Sequence, residues 1–311
     1  MISHSYAIFS PQNTFVDILF FTNTLTVMRK MTLTILLVAA VAAAWAQKPD
    51  KKTAKLEKQF VSSFVEVPAG HFMIRNSSGD TTWVTLAAFR MLETEVSIGS
   101  YNLFLDDLKA QGRMADYEKA KIDTTRTMPE LPTYYLTRPE FRLNPVCCIS
   151  HEGATLYCQW LTEKMGGEWE YTLPTREQWK YAAREGNPLG HFSPYSMDTP
   201  YLTNYNGRPL YNYLNLGDEY ITVQDGQYVV LLENNDLNYR HSYPMHVYSF
   251  HPNGLGLFNM CGNVAELVYE RGIAYGGSYL DPGYDIRIDS EKPYDAPSPL
   301  IGFRVIAVRK R

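Results

Sequence analysis

Cysteine is scarce in this sequence. It occurs four times, as Cys147, Cys148, Cys158 and Cys261, and nowhere after Cys261. Cys147 and Cys148 are adjacent and do not read as a bonded pair. Cys158 falls on the apolar face of a helical pattern, where a free thiol behaves as a small hydrophobe. The spacing therefore defines no disulfide scaffold. A surplus of one charge is also missing. Lys and Arg total 29 against 33 Asp and Glu, a formal net charge of −4, which gives no support for a nucleic-acid or anionic-membrane partner. Seven histidines are scattered without metal-ligand spacing. No apolar run reaches the roughly 18–20 residues of a membrane-spanning helix, and no internal repeat is present. Aromatic residues, in contrast, are plentiful. They make up 14% of the chain, 23 of them Tyr, and hydrophobic residues make up 45%. That supports a sizeable core and argues against disorder. A length of 311 residues bounds the chain to one large domain or two ordinary ones.

The stretch "MRKMTLTILLVAAVAAAWAQKPDKK" opens with Arg29 and Lys30, continues with an apolar run from Leu33 to Ala44, and ends in Ala44-Trp45-Ala46 before Gln47. Basic start, short apolar core and small-x-small flank are the marks of a secretory signal peptide. The expected organisation is an upstream segment 1–27 that precedes the true start at Met28 or Met31, a signal peptide 28–46, a polar leader 47–61 and a single domain 62–311. No stable transmembrane anchor is expected after cleavage. The absence of cysteine between the apolar run and Cys147 excludes a lipid-modified cysteine at the mature N-terminus.

Within the domain, "FVEVPAGHFMI" reads as strand, Pro-Ala-Gly turn, strand, and "TTWVTLAAFRM" as a further strand. Ser97 opens a helix with Ile98, Tyr101, Leu105 and Leu108 at helical spacing. Residues 111–145, rich in proline, read as a long surface connection. Ser150 is the expected N-cap of a helix whose Ala154, Tyr157, Cys158 and Leu161 form one apolar stripe. Thr175 and Gln178 form a T-x-x-Q capping box ahead of the stripe Trp179, Ala182 and Ala183, and Gly186 stops that helix. Both helices read as structural, and His151 as a satisfied or exposed histidine. Residues 187–238 read as long loops with one hairpin turning at Asp225-Gly226. The final "IGFRVIAVR" alternates like a strand that closes a sheet.

The blocks "VEVPAGHFMI", "ETEVSIGSYNLFL", "NPVCCISHEGATLYCQWL", "YTLPTREQWKYAAREG", "HPNGLGLFNMCGNVAELV", "YGGSY" and "GFRVIAV" occur in one order. Together they resemble the formylglycine-generating enzyme domain, also called the sulfatase-modifying factor domain, over residues 62–308. The region "KIDTTRTMPELPTYYLTRPEFRLNPV" resembles the branch found in gliding-motility and secretion-associated lipoproteins of Bacteroidetes. The resemblance implies an α+β fold related to C-type lectins, with few short helices and strands and much irregular loop.

It also implies a chemistry. Active members oxidise a substrate cysteine to formylglycine with two copper-binding cysteines in the loop after Gly-Gly-Ser. Gly276, Gly277, Ser278 and Tyr279 are present here, but the two thiol positions hold Asp281 and Ile286. Thiolates are the soft ligands that select Cu(I), and neither a carboxylate nor an isobutyl group replaces them. The aromatic pair of the family's "GN-x-W-E-W" is also gone, replaced by Ala265 and Leu267. No copper is expected. Calcium is expected, because the family's ligand spacing is preserved in Asn259, the carbonyls of Gly262 and Val264, and Glu266. A second calcium site maps to Asn215, Leu216, Asp236 and Asn238. Asp281 and Asp285 read first as turn residues of "LDPGYD". Ser278 is a pocket candidate that would need a nearby base to act as a nucleophile. The expected role is an exported, non-catalytic binding or assembly module of the cell envelope, with an envelope protein, peptide or glycan as partner. The alternatives are an active oxidoreductase of the family with different metal ligands, acting on a protein or small-thiol substrate, and a calcium-stabilised structural subunit.

Overall fold

The computed structural model describes residues 64–75, 81–126, 131, 133–165, 168–186, 193–215, 221–230 and 243–310. The signal-peptide segment and the polar leader lie outside these residues. Among the described residues no helix is long and apolar enough to cross a membrane.

Two four-stranded sheets organise the domain. The first has the order β1 (Phe64–Val67), β4 (Phe89–Leu92), β12 (Ile306–Arg309), β5 (Trp169–Thr172), with every pairing antiparallel. The second has the order β10 (Glu291–Pro293), β9 (Ile273–Tyr275), β8 (Ala265–Leu267), β11 (Ile301–Phe303), with β11 parallel to β8. The closing strand expected at the end of the sequence is thus interior to the first sheet. Only Arg304 and Val305 separate β11 from β12, so the chain passes from one sheet to the other within two residues. Among the described residues two hairpins accompany these sheets: β2 (Gly70–Arg75) with β3 (Thr81–Leu86), and β6 (Ile221–Gln224) with β7 (Gln227–Val230). The second turns at Asp225 and Gly226, both at positive φ, the geometry of a two-residue hairpin loop.

Three helices start where their caps predict. In α1 (Ile98–Ala110) the Ser97 hydroxyl accepts from the Ser100 N–H at 3.2 Å. Ser150 Oγ accepts from the Gly153 N–H at 2.9 Å ahead of α4 (His151–Met165). Thr175 and Gln178 exchange both bonds of a capping box at the start of α5 (Arg176–Ala183). Residues 111–145 depart from the expected surface connection. They hold α2 (Met114–Ala120) and the short α3 (Tyr134–Thr137), and they bury Ala120, Leu131, Tyr135 and Leu136. The segment lacks a sustained period because its buried residues come from separate short pieces: Ala120 at the end of α2, Leu131 between the helices, and Tyr135 and Leu136 in α3.

The core has two apolar clusters. One gathers Tyr101, Phe104, Tyr157 and Phe303 between α1, α4 and the second sheet. The other gathers Phe72, Phe89, Trp179, Tyr275 and Ile286.

Candidate functional site

The Gly276-Gly277-Ser278 loop leaves β9 with both glycines at positive φ, 91° and 65°. At Gly277 a Cβ would stand 2.6 Å from the Asp285 carbonyl oxygen and 2.8 Å from Ile286 Cα, so backbone packs where a side chain would go. The loop is bonded to the "NMCGN" turn: Gly262 N–H donates to Gly276 O at 2.7 Å, and Tyr279 N–H donates to Asn263 O at 3.0 Å.

Asp281 closes this loop. Its Oδ2 accepts from both the N–H and the hydroxyl of Ser278, each at 2.7 Å. Lys292 Nζ, on β10, reaches both carboxylate oxygens at 2.6 Å. Ser278 is fully buried with its hydroxyl committed to Asp281, an arrangement that offers no exposed nucleophile. Ile286 is fully buried in the second cluster. Asp281 N–H to Ser278 O and Asp285 N–H to Pro282 O close consecutive turns, the role expected for "LDPGYD". Burial raises the Asp285 carboxyl above the usual carboxylate range and the neighbouring Asp281 charge adds to this, while Lys292 and Arg287 oppose it. One residue that could have been a thiol is therefore an ion-paired turn closure, and the other is core.

The four cysteines are all free and buried. Burial pushes the Cys261 thiol up to about 12 and raises Cys147 and Cys158 as well. Reactive thiols need the opposite environment. We expect a native-state thiol titration with a water-soluble disulfide reagent to find none of the four and the denatured chain to expose all four; fast reaction of any one in the folded protein would contradict the burial.

The turn from Asn259 to Glu266 meets a second, deeper polar cluster. Arg304 is fully buried and holds Glu266 in a forked ion pair, Nη2 to Oε1 at 2.7 Å and Nε to Oε2 at 2.9 Å. Trp179 Nε1 donates to the same Oε2 at 2.7 Å. The rest of the guanidinium donates to the carbonyls of Leu92, Glu93 and Phe258. Glu95, also fully buried, accepts from Asn263 Nδ2 at 2.7 Å and Asn259 Nδ2 at 3.1 Å. Desolvation pushes the Glu95 carboxyl up to about 7; Arg304 pulls against this, and the Glu266 charge adds to it.

These side chains do not fit a calcium shell as they are arranged. Calcium takes six to eight oxygens, but both Glu266 oxygens already face N–H donors, and Asn259 turns its amide nitrogen to Glu95 and to Val247 O. A cation there would have to compete with Arg304 for Glu266. Of the second quartet, only Asn215 is described; it is exposed, with Oδ1 accepting from Tyr213 OH at 3.3 Å, and Leu216, Asp236 and Asn238 lie outside the described residues. Among the described residues no three His, Cys, Asp or Glu side chains gather around a point one metal ion could occupy.

Sequence reasoning missed Glu95, Arg304 and Lys292. The first two stand inside quoted landmarks, "ETEV" and "GFRVIAV"; for Arg304 the signal that would have found it is charge, an ionic residue among apolar neighbours, whereas Glu95 lies in a polar stretch that gives no such signal.

Among the described residues, two four-stranded sheets, two hairpins, five α-helices and a buried turn cluster under a double-glycine loop make a formylglycine-generating-enzyme-like fold. The chain matches the model of the sulfatase-modifying factor enzyme 1-like domain over residues 49–309, and it belongs to that family. The crystal structure of CarF is similar at 21% identity, covering 80% of this chain and 98% of CarF, with a TM-score of 0.50. PvdO from Pseudomonas aeruginosa is similar at 21% identity, covering 78% of this chain and 93% of PvdO, with a TM-score of 0.54. At that identity both likenesses concern the fold. No curated protein matches the chain.

Proposed function

We propose that this protein is an exported member of the family that lacks thiol-dependent oxidation and serves as a binding or assembly module at the cell envelope. The observation that carries the reading is the Asp281–Ser278–Lys292 closure. Where the family's chemistry needs two thiolates, this chain has a carboxylate spent on a serine and a lysine, and a buried isoleucine. The signal-peptide pattern of residues 28–46 supports export, and the resemblance of residues 121–146 to the gliding-motility and secretion branch supports an envelope setting. An exported peptide, protein or glycan is the ligand class this reading assigns, on family likeness rather than on a contact in the molecule.

The test is direct. Incubated with a Cys-x-Pro-x-Arg peptide, oxygen and copper, the full chain should leave the peptide mass unchanged and give no aldehyde adduct with a hydroxylamine probe. Catalytic appearance of aldehyde would overturn the reading and favour an oxidoreductase with other ligands.

A further inference from the structure

Asp281 and Lys292 meet as more than two opposite charges. Lys292 Nζ lies 2.6 Å from each carboxylate oxygen, so it stands directly in front of the carboxyl carbon between them. Both side chains are largely withdrawn from water, 16% exposed for Asp281 and 23% for Lys292. Both are also held by backbone. The Asp281 N–H donates to Ser278 O, and the Asp281 carbonyl accepts from the Leu214 N–H at 2.9 Å. Lys292 sits on β10, paired with Ala274 of β9.

Oδ2 of Asp281 has two further donors, the N–H and the hydroxyl of fully buried Ser278, each at 2.7 Å. The ammonium already reaches both oxygens, so the ion pair does not require them. Paired donors at that distance are what holds the oxyanion of an acyl-transfer intermediate. An amine fixed against an acyl carbon reacts at an effective concentration far above that of any free amine. Nucleophile, acyl carbon and oxyanion donors therefore stand together within one short loop and its neighbouring strand.

We propose that Lys292 and Asp281 condense into an intramolecular amide, an isopeptide bond that ties the double-glycine loop to β10. One proton first passes from Nζ to Oδ1, leaving a neutral amine beside a carboxylic acid. The Nζ lone pair then attacks Cγ, and negative charge gathers on Oδ2 between the two Ser278 donors. A second proton leaves Nζ for the Oδ1 hydroxyl, the Cγ–Oδ1 bond breaks and water departs. The amide keeps the third hydrogen, and no oxidant or co-reactant is consumed. Ser278 thus acts as a donor to the reacting carboxyl rather than as a nucleophile. β10 is an edge strand with one neighbour, so the bond fastens the least supported strand of the second sheet. The inference shares Asp281 with the functional reading, but each can fail alone: an unjoined chain still lacks the thiol pair, and aldehyde on a peptide would leave the amide in place.

The full chain is made by cell-free synthesis, sampled over time, denatured and digested with trypsin, and the peptides are weighed by mass spectrometry. Trypsin cuts after Arg271, Arg287 and Arg304, which puts Asp281 and Lys292 on separate peptides, 272–287 and 288–304. The expected product is the two peptides joined, at the sum of their masses less one water. Lys292→Arg keeps a cation against the carboxylate but removes the amine, and should give only separate peptides. Asp281→Asn should reach the same joined mass as the parent, by losing ammonia in place of water. Ser278→Ala removes one oxyanion donor and should slow joining by about a hundredfold. Only separate peptides from the folded parent, a joined pair in Lys292→Arg, or an unchanged rate in Ser278→Ala would overturn the proposal.

Discussion

Replacing Arg304 with Met should unfold the domain or bring it close to unfolding. The guanidinium is fully buried and bonds one carboxylate and three backbone carbonyls drawn from separate parts of the chain. Removing one partner of a buried pair leaves the other charge uncompensated and costs about 3–5 kcal/mol. The total stability of a domain is about 5–15 kcal/mol. Here Glu266 would be stranded with only Trp179 donating to it, and Glu95 would lose the one cation that lowers its pKa. The double variant Arg304→Met/Glu266→Gln should recover part of the loss, because the stranded charge goes with it. Urea denaturation of both variants measures this. A single variant as stable as the parent would show that the fork does not hold the two sheets together.

The second large effect is on pH. Glu95 sits at about 7 in the folded protein against an ordinary value of 4.5. A carboxyl whose folded pKa is raised favours the protonated native state. Its contribution is fully present below pH about 4.5 and is lost as pH rises through 7. A shift of that size corresponds to about 3 kcal/mol. The groups facing it are Arg304, Glu266, Asn259 and Asn263. Unfolding free energy measured from pH 5 to 8 should therefore fall with rising pH. Glu95→Gln, which cannot ionise, should flatten that slope. A profile of equal slope in both proteins would remove Glu95 as its source.

Much of the architecture was legible because local chemistry writes it. The caps at Ser97, Ser150 and Thr175 and the turn at Asp225-Gly226 each need particular side chains at particular offsets, and each appears where those offsets place it. Residues 111–145 were not legible. Leu131, Tyr135 and Leu136 enter the core from short turns, and a segment without a period gives periodicity nothing to detect. The loss of the thiol pair could be read at Asp281 and Ile286 by position. What took its place could not, since Lys292 lies on another strand and meets Asp281 only through the fold. His151 read as a satisfied or exposed histidine. That one of its nitrogens meets no donor among the described residues is a fact of three-dimensional packing.

The position of β12 has a consequence for how the chain comes together. It is the link between β4 and β5, pairing Met91 with Ile306 and Thr172 with that same residue. A nascent chain that has emerged as far as the second sheet still presents both neighbours as open ribbons, each a template for the wrong partner. Assembly must wait for the most distant contacts to form, which makes for a slow folder. This strand, which follows its sheet neighbours in the chain, is the keystone, and until it is set the earlier ones depend on whatever shields them.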